Sequence, residues 1–233
     1  MTTARGDGAV RRLVEEHAGR YDRWYETEPG RVLFEAELRA LRRVAADLPG
    51  PRLEVGVGTG RFAEPLAIDV GVDLAYAGLW LYRQRTLGLT PPAGRRLPVH
   101  LLQADGARLP FGSATIGSVF LIVSICFAAE PRGLVVEAAR VVRPGGAVLA
   151  AFIDRESPWG RWYREKGESG HLFYEHARFL TATEVRAWLE AAGLRVHRAA
   201  STLLQPPGDA PRPETPVEGL VPGAGFVCMV AGR

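Results

Sequence analysis

The stretch Leu53-Glu54-Val55-Gly56-Val57-Gly58-Thr59-Gly60 decides the predicted fold. Its first residues are typical of a buried strand, and its glycines at alternate positions let the backbone turn tightly and let a ligand lie against it. Ligands of open α/β sheets bind at the carboxyl ends of the strands, where such a loop leads into a helix. The alternative is a purely structural turn. The GxGxG spacing differs from the GxGxxG of dinucleotide-binding proteins and disfavours a nicotinamide cofactor.

Strand and helix patterns alternate along the rest of the chain. Strand-like runs occur at 52–57, 70–73, 98–103, 117–124 and 146–153, with helical patterns at about 60–68, 75–88, 131–142 and 182–192. This succession predicts a parallel sheet with helices on both faces. The last two strands, at about 194–201 and 225–231, are expected to pair as an antiparallel hairpin at the sheet edge.

The organisation into domains follows from the same periodicity. Residues 1–48 are predicted to form an N-terminal helical cover on a domain of residues 49–233. Within the cover, Pro29-Gly30 divides the helical pattern into two helices, and the first fifteen residues are expected to be a frayed start. Residues 154–180 are rich in aromatic side chains and are predicted to be an insertion that forms a lid.

Composition limits the class of protein. A chain of 233 residues that is 47% hydrophobic suits one globular domain with a sizeable core. The longest apolar run is too short to span a bilayer, no secretory signal is evident, and two cysteines make no disulfide framework or CxxC site. We therefore expect a cytoplasmic protein with no membrane partner.

The charge balance raises the question of nucleic acid. Lys+Arg 29 against Asp+Glu 26 gives a net charge of +3, and every basic residue except Lys166 is an arginine. A basic stripe would indicate nucleic-acid binding, and one acid-free stretch contains Arg83, Arg85, Arg95 and Arg96. Because the other arginines are interspersed with acids, we interpret the excess as coding bias with a local basic edge. No nucleic-acid partner is expected.

Two aspartates follow later strands of the predicted sheet. Asp73 closes the second strand, nineteen residues after Glu54, where a carboxylate can accept hydrogen bonds from both hydroxyls of a ribose. Asp105-Gly106 follows the third strand, where the carboxylate could accept a hydrogen bond from an adenine amine. The alternative for Asp105 is an ordinary turn or N-cap residue.

Together and in this order, these motifs and the Arg143-Pro144-Gly145-Gly146 turn resemble a known family. Over roughly residues 20–200 the chain is similar to class I S-adenosylmethionine-dependent methyltransferases, of the ubiquinone/menaquinone-biosynthesis-like branch (methyltransferase type 11). The resemblance implies an α/β, Rossmann-like, doubly wound and mostly parallel seven-stranded sheet with an antiparallel last strand. It also implies S-adenosylmethionine as cofactor and S-adenosylhomocysteine as product.

The resemblance further implies the cofactor-binding residues. In the family the acidic residue, here Glu54, positions the loop near the methionine amino end, and the three glycines line the methionine and ribose portions. The second-strand aspartate binds the ribose, and the third-strand aspartate contacts the adenine. The implied set is Glu54, Gly56, Gly58, Gly60, Asp73, Leu74, Asp105, Gly106 and Ser124.

Local segments resemble a smaller prokaryotic group whose substrate is unassigned. The segments are Tyr21 to Trp24, Ile125-Cys126-Phe127, Asp154 to Ser157 and Phe173 to Phe179. The chain also departs from the family. Leu74-Ala75 replaces the usual Pro-Ser after the ribose aspartate, and Gly117 replaces an acid at the start of the fourth strand.

The acceptor side of the site is predicted from the fourth-strand end, the cover and the insertion. Tyr21, Tyr25, Cys126 and Trp162 are candidate substrate-binding residues, and His171 and Tyr174 are candidates for acid–base catalysis because they can exchange protons. The alternatives are helix packing for the tyrosines, a buried apolar role for Cys126 and a surface role for His171. No metal site is expected, since His171 and His176 have no third ligand in pattern.

The expected function is transfer of a methyl group from S-adenosylmethionine to a small molecule by in-line displacement. Three alternatives remain open: a sensor or carrier that binds S-adenosylmethionine without catalysis, a nucleotide-dependent oxidoreductase, and an RNA methyltransferase. The expected state of assembly is a monomer or a homodimer.

Overall fold

The computed structural model of the protein describes residues 3–87, 100–208 and 210–233. Arg95, Arg96 and the first residues of the strand predicted at 98–103 lie outside this part. The helices are α1 (Thr3–Trp24), α2 (Glu28–Ala45), α3 (Tyr76–Thr86), α4 (Pro131–Val141), α5 (Pro158–Glu168) and α6 (Ala182–Ala191). The strands are β1 (Arg52–Val55), β2 (Val70–Asp73), β3 (His100–Gln103), β4 (Ile116–Ile122), β5 (Val142–Ile153), β6 (Arg195–Thr202), β7 (Val217–Glu218) and β8 (Phe226–Gly232).

The strands form one sheet in the order β3-β2-β1-β4-β5-β8-β6-β7. Strands β1 to β5 pair in parallel, while β8 runs antiparallel between β5 and β6. This confirms the mostly parallel, Rossmann-like α/β fold. The sheet has eight strands rather than seven because the two residues of β7 pair with Ala200 and Ser201 at its edge.

The predicted final hairpin is only partly right. β6 and β8 do pair antiparallel, but β8 lies inside the sheet and not at its edge. All seven residues of β8 are buried. A strand that is apolar on both faces is stabilised by neighbours on both sides, which an edge position does not offer.

Two apolar layers cover the two faces of the sheet. Phe120 of β4 packs with Leu41 of α2 on one face, and Val119 packs with Val135 of α4 and Leu189 of α6 on the other. Successive residues of one strand thus contact opposite layers, as the pleat requires. The predicted division between a cover of residues 1–48 and a domain of residues 49–233 stays a prediction. Helix α2 shares one apolar layer with the sheet.

The structure of the N-terminal residues differs from the predicted frayed start. The predicted frayed start is wrong because α1 begins at Thr3 and buries Leu13 and Ala18. The two helices separate at 25–27, just before Pro29-Gly30. There the Thr27 side chain accepts a hydrogen bond from the Gly30 N–H (3.2 Å) and begins α2.

The helix predicted at about 60–68 is also absent from the described chain, which forms turns over 61–67. Pro65 lacks a backbone N–H, and Ala67 adopts a positive φ of 53°, so a regular helix cannot continue through this segment. Phe62 and Leu66 are nevertheless buried and fill the layer beneath α2.

None of the helices in the described part of the chain combines the length and the apolar character that crossing a membrane requires.

Candidate functional site

A cavity of about 200 Å³, the first cavity, lies at the carboxyl ends of the parallel strands beneath α1. The glycine loop after β1 and the residues that follow β2, β3 and β4 form its floor and walls. Seven residues of the implied cofactor set line it: Gly56, Gly58, Asp73, Leu74, Asp105, Gly106 and Ser124. The fold therefore brings together residues that are up to 68 positions apart, from Gly56 to Ser124.

Asp73 ties the glycine loop to β2. Its carboxylate accepts hydrogen bonds from the Gly58 N–H (2.8 Å) and the Ala75 N–H (2.9 Å). Burial raises the pKa of Asp73, and the backbone N–H groups oppose that shift. Each carboxylate oxygen retains capacity to accept a further bond. Asp73 can thus hold the loop and bind a hydroxyl group at the same time.

The Gly58 position faces the open cavity. Its φ is +50°, and an added Cβ would meet no described atom within 4 Å. Gly56, by contrast, is packed, because an added Cβ would lie 2.3 Å from the Ser124 Cβ. The loop therefore has one glycine that leaves room for a ligand and one that lets the chain after β4 approach closely.

Glu54 and Gly60 are not among the described residues that line the first cavity. A Cβ on Gly60 would lie 2.5 Å from the ring of Tyr82, so this glycine is needed for packing against α3. Glu54 is 2% exposed, and burial together with the neighbouring Asp73 raises the pKa of its carboxyl well above the usual range.

Two buried oxygens at this end of the site have no hydrogen-bond partner in the described chain: Glu54 Oε2 and Ser124 Oγ. Unsatisfied buried polar atoms are uncommon, and each destabilises the fold unless a ligand or water pairs with it. Ser124 lines the first cavity, so a polar group of a bound ligand can reach its oxygen, whereas Glu54 does not line the cavity. The Ser124 oxygen therefore fits the methionine end of the implied cofactor.

Asp105 and Gly106 close the opposite side. The Asp105 Oδ1 atom accepts a hydrogen bond from the Ala107 N–H (2.9 Å), which holds the carboxylate in a turn at the cavity wall. A Cβ on Gly106 would lie 2.5 Å from the Val55 Cγ1 atom, so the turn packs directly on β1. Turn geometry and a ligand-facing carboxylate are thus compatible at Asp105.

Helix α1 covers the first cavity. The Glu15 carboxylate accepts hydrogen bonds from the Tyr76 N–H (2.8 Å) and the Ala77 N–H (2.9 Å) at the start of α3. Near the other end of α1, Asp22 forms a two-point ion pair with Arg61, with both N–O distances 2.7 Å. These contacts hold α1 over the cavity at two positions.

Arg85 also contacts Asp22, at 3.3 Å, and its guanidinium donates to the Thr59 carbonyl (2.6 Å). This arginine of the predicted basic edge therefore belongs to the ion-pair network under α1. Because acids pair with its charge, Arg85 does not contribute a free charge to the predicted local basic edge.

A larger cavity of about 360 Å³, the second cavity, adjoins the first. Its walls are mainly aromatic and come from α1, α2, the chain after β4, and the 154–180 segment. Four residues line both cavities and form their shared wall: Tyr21, Val123, Phe127 and Phe173. The rings of Tyr21 and Phe173 meet edge to face at 5.5 Å.

Val123 is held in an unusual conformation within the shared wall. It follows β4 with φ 59° and ψ −25°, a left-handed conformation that a β-branched residue rarely adopts. Such strain costs on the order of 1–3 kcal/mol and persists only where the surrounding structure imposes it. The strained residue therefore lies at the boundary of the two cavities.

Five of the six predicted acceptor and catalytic residues line the second cavity: Tyr21, Tyr25, Cys126, His171 and Tyr174. The Tyr21 and Tyr25 hydroxyls are hydrogen-bonded at 2.7 Å, and the His171 and Tyr174 rings stack at 4.2 Å. Desolvation, Lys166 and Arg20 lower the pKa of His171, so its neutral form is favoured near pH 7.

Cys126 and Trp162 differ from the other four. Burial raises the pKa of the Cys126 thiol to about 12, which keeps it protonated and unreactive. Trp162 is not among the described residues that line either cavity. Its ring packs against Trp159 at 5.5 Å and lies 3.5 Å from the Lys166 Nζ atom.

The aromatic insertion divides into a core part and a wall part. Trp159 is fully buried, and its indole N–H donates to the Gln205 carbonyl (2.8 Å), so it belongs to the core and not to a lid. Tyr163, Phe173, Tyr174 and Phe179 instead line the second cavity.

Glu37 is a residue of the second cavity that the sequence reasoning missed. It lies on α2 between the buried residues Leu33 and Leu41. Burial alone raises the pKa of its carboxyl from 4.5 to about 8. An acid on the apolar side of an amphipathic helix was the available signal, because such positions are normally apolar.

The missing acid at Gly117 has a steric cause. A Cβ there would lie 2.2 Å from the Gly50 carbonyl oxygen and 2.6 Å from the Pro49 carbonyl oxygen. The chain that enters β1 thus occupies the space of the family's acidic side chain. The departure concerns packing and lies away from the cavity lining.

Comparison with known proteins identifies the same chemistry. Residues 53–150 match the family model described as a methyltransferase domain. An uncharacterized protein of Mycobacterium tuberculosis is 35% identical over 215 residues, which cover 92% of this chain and 71% of that protein. A demethylmenaquinone methyltransferase of Renibacterium salmoninarum is 31% identical over 126 residues, which cover 52% of this chain and 50% of that protein.

A solved structure extends the likeness to nearly the whole chain. The structure from Thermotoga maritima is described as a SAM-dependent methyltransferase and a possible histamine N-methyltransferase. It superposes with a TM-score of 0.81 at 28% identity, covering 95% of this chain and 98% of that one. The domain match and the fold therefore agree. The chain belongs to the S-adenosylmethionine-dependent methyltransferases.

Proposed function

We propose that the protein methylates a small molecule held in the second cavity. The observation that carries this proposal is the wall shared by the two cavities, formed by Tyr21, Val123, Phe127 and Phe173. A group transferred between two ligands must pass from one site to the other, and two cavities that share four lining residues lie next to each other. When bound, the cofactor would supply a methyl group on a sulfonium, whose carbon a nucleophile attacks in line while S-adenosylhomocysteine leaves with the electron pair of the broken C–S bond.

The residues of the first cavity would hold the cofactor by its polar groups. Asp73 would bind the ribose hydroxyls, and Asp105 would bind the adenine amine. Near the methionine end, the unpaired oxygen of Ser124 would gain a partner. This assignment is supported by the acceptor groups present at each position.

The protein's own contribution to the reaction is positioning and the exclusion of water. Methyl transfer needs the nucleophile and the methyl carbon in contact and in line, and fixing that geometry supplies much of the acceleration. The strained Val123 and the rings of Tyr21 and Phe173 would define the line of approach. Their apolar surfaces would also keep water from the reacting atoms.

The second cavity favours an enzyme over a sensor or carrier. A protein that only binds S-adenosylmethionine has no need of an adjoining cavity, whereas about 360 Å³ with aromatic walls suits a small acceptor. The absence of an acid at Gly117 has a packing explanation, so it does not favour a protein that binds the cofactor without catalysis. A cytoplasmic location, a monomeric or dimeric state and the lack of a nucleic-acid partner stay predictions from composition and resemblance.

Release of S-adenosylhomocysteine with a panel of small acceptors tests the proposal. We expect Tyr174→Ala to raise the KM for an accepted compound by about tenfold and to leave S-adenosylmethionine affinity within twofold, because Tyr174 lines only the second cavity. Trp162→Ala, on the same segment but outside the lining, is the matched control. Cofactor binding without release on any acceptor would support the carrier instead.

A further inference from the structure

Glu37 presents a carboxyl group to the second cavity from an otherwise apolar helix face. It forms no hydrogen bond or ion pair with any residue in the described ranges. Glu37 is half-buried, and removing a carboxyl even partly from water without a partner destabilises a fold, so an apolar residue of similar size would pack there at lower cost. A destabilising group inside a cavity suggests that its partner is the ligand.

Four tyrosines line the second cavity together with this carboxyl. After burial, the nearby Glu37 contributes to the raised pKa of Tyr21, Tyr25, Tyr163 and Tyr174. The Tyr163 and Tyr174 rings lie 4.5 Å apart between centroids, and the Tyr21 and Tyr25 rings 5.3 Å apart. Aromatic faces attract cations, and the attraction is stronger where water is excluded. One acid and several rings form a site complementary to an ammonium group.

We propose that Glu37 and the four tyrosines bind the amino group of a small amine with an apolar body, and that Glu37 accepts its proton before methylation. This inference rests on the proposed function, since it specifies the acceptor of the same site. The aromatic walls would contact the apolar body. The acceptor atom is then nitrogen.

The proton balance of this step is closed. An ammonium group has no free electron pair, so its nitrogen can form a new bond to carbon only after losing a proton. The N–H bond breaks, its electron pair stays on nitrogen, and the proton passes to the Glu37 carboxylate. The ion pair becomes a neutral amine beside a neutral carboxyl group, with no further reactant.

The proton affinity of Glu37 suits this exchange. Burial raises the pKa of Glu37 to about 8, closer to that of an amine than an ordinary carboxyl group. The buried Cys228 thiol lies near this carboxyl and the Cys126 thiol lines the same cavity, and burial raises the pKa of both thiols. Arg20, Arg23 and His171 belong to the solvent-exposed part of the lining, where water and salt screen charge.

Calorimetric binding to the full chain saturated with S-adenosylhomocysteine tests the inference. Three probes of matched size differ only in their polar end: 2-phenylethylamine, 2-phenylethanol and phenylacetate. We expect the amine to bind at least about tenfold more tightly than the other two. Equal affinity of the amine and the alcohol would overturn the inference, and this comparison needs no variant.

Glu37→Gln identifies the residue responsible. We expect the variant to lose the preference for the amine and the pH dependence of that preference between pH 6 and 9. Glu35→Gln, on the exposed side of the same helix, should keep both. A preference that survives in Glu37→Gln would exclude Glu37. Failure of the wild-type chain to bind S-adenosylhomocysteine would instead count against the proposed function, so the two failures are distinguishable.

Discussion

The two cavities are built in different ways although they share a wall. The first is lined largely by short loops at the ends of parallel strands, where backbone N–H groups and small residues set its shape. The second is lined by large side chains from segments as distant as Arg20 and Phe179. Backbone geometry preserves a site that must hold the same cofactor, whereas side chains can be exchanged to suit a particular acceptor.

Of the variants that test this difference between the cavities, Gly58→Val should have the largest effect. The side chain would enter the space that the first cavity keeps open, so S-adenosylmethionine affinity should fall about 100-fold or more, measured by calorimetry. The second cavity should be unaffected, because Gly58 does not line it. A cofactor affinity within about threefold of the wild type would remove the glycine loop from the site.

A matched control exists for the backbone strain of that variant. Gly193 also has a positive φ (80°), and an added Cβ there meets no described atom within 4 Å. Gly193→Val therefore introduces similar strain far from both cavities. It should lower stability without changing cofactor affinity.

The second largest effect is expected for Glu37→Gln, and it concerns how the free energy of unfolding depends on pH. The folded-state pKa of Glu37 is raised from 4.5 to about 8, so its contribution to the free energy of unfolding is fully present below pH 4.5 and is lost as pH rises through about 8. Between pH 6 and 8 the wild type should lose about 2 kcal/mol more than Glu37→Gln in urea unfolding.

The difference in pH dependence between the wild type and Glu37→Gln reports on Glu37 alone. Glu54 and Asp73, whose pKa values are also raised, are present in both. The Glu35→Gln variant should follow the wild-type curve. Parallel curves for the wild type and Glu37→Gln would show that the second cavity does not bury a titrating carboxyl, and the contrast between the cavities would weaken.

The smallest effect is expected for Glu15→Gln at the start of the cover. A glutamine can accept only one of the two hydrogen bonds from Tyr76 and Ala77, and the negative charge at the start of α3 is lost. We expect cofactor affinity to fall by about two- to fivefold, measured by calorimetry, since α1 lines the first cavity. Glu16→Gln, at the neighbouring exposed position, is the control. Equal cofactor affinities of Glu15→Gln and Glu16→Gln would show that the contacts between α1 and α3 do not affect the cofactor site.

The sequence allowed the strand succession and most of the first cavity to be predicted. Glycine spacing and aspartates at strand ends are local signals, because a loop conformation depends on residues close in the chain. Asp73 and Asp105 therefore lie where their positions after β2 and β3 indicate. The helix expected at 60–68 failed for the same local reason, since Pro65 and the positive φ of Ala67 were given too little weight.

The second cavity could be predicted only in part. Tyr21 and Tyr174 were found as aromatic candidates, but which rings face a cavity depends on packing between distant segments. Trp159 and Trp162 look alike in sequence. Trp159 is fully buried in the core and Trp162 packs against it, and neither lines the second cavity. The start of α1 was missed because Glu15 and Asp22 gain their partners from other elements.

The position of Tyr21 has a consequence for turnover. Tyr21 belongs to α1, the helix that covers the first cavity, and it also lines the second. Any displacement of α1 that lets one ligand leave therefore changes the walls around the other. In the proposed reaction, a displacement of α1 would therefore couple the exchange of cofactor with the exchange of product.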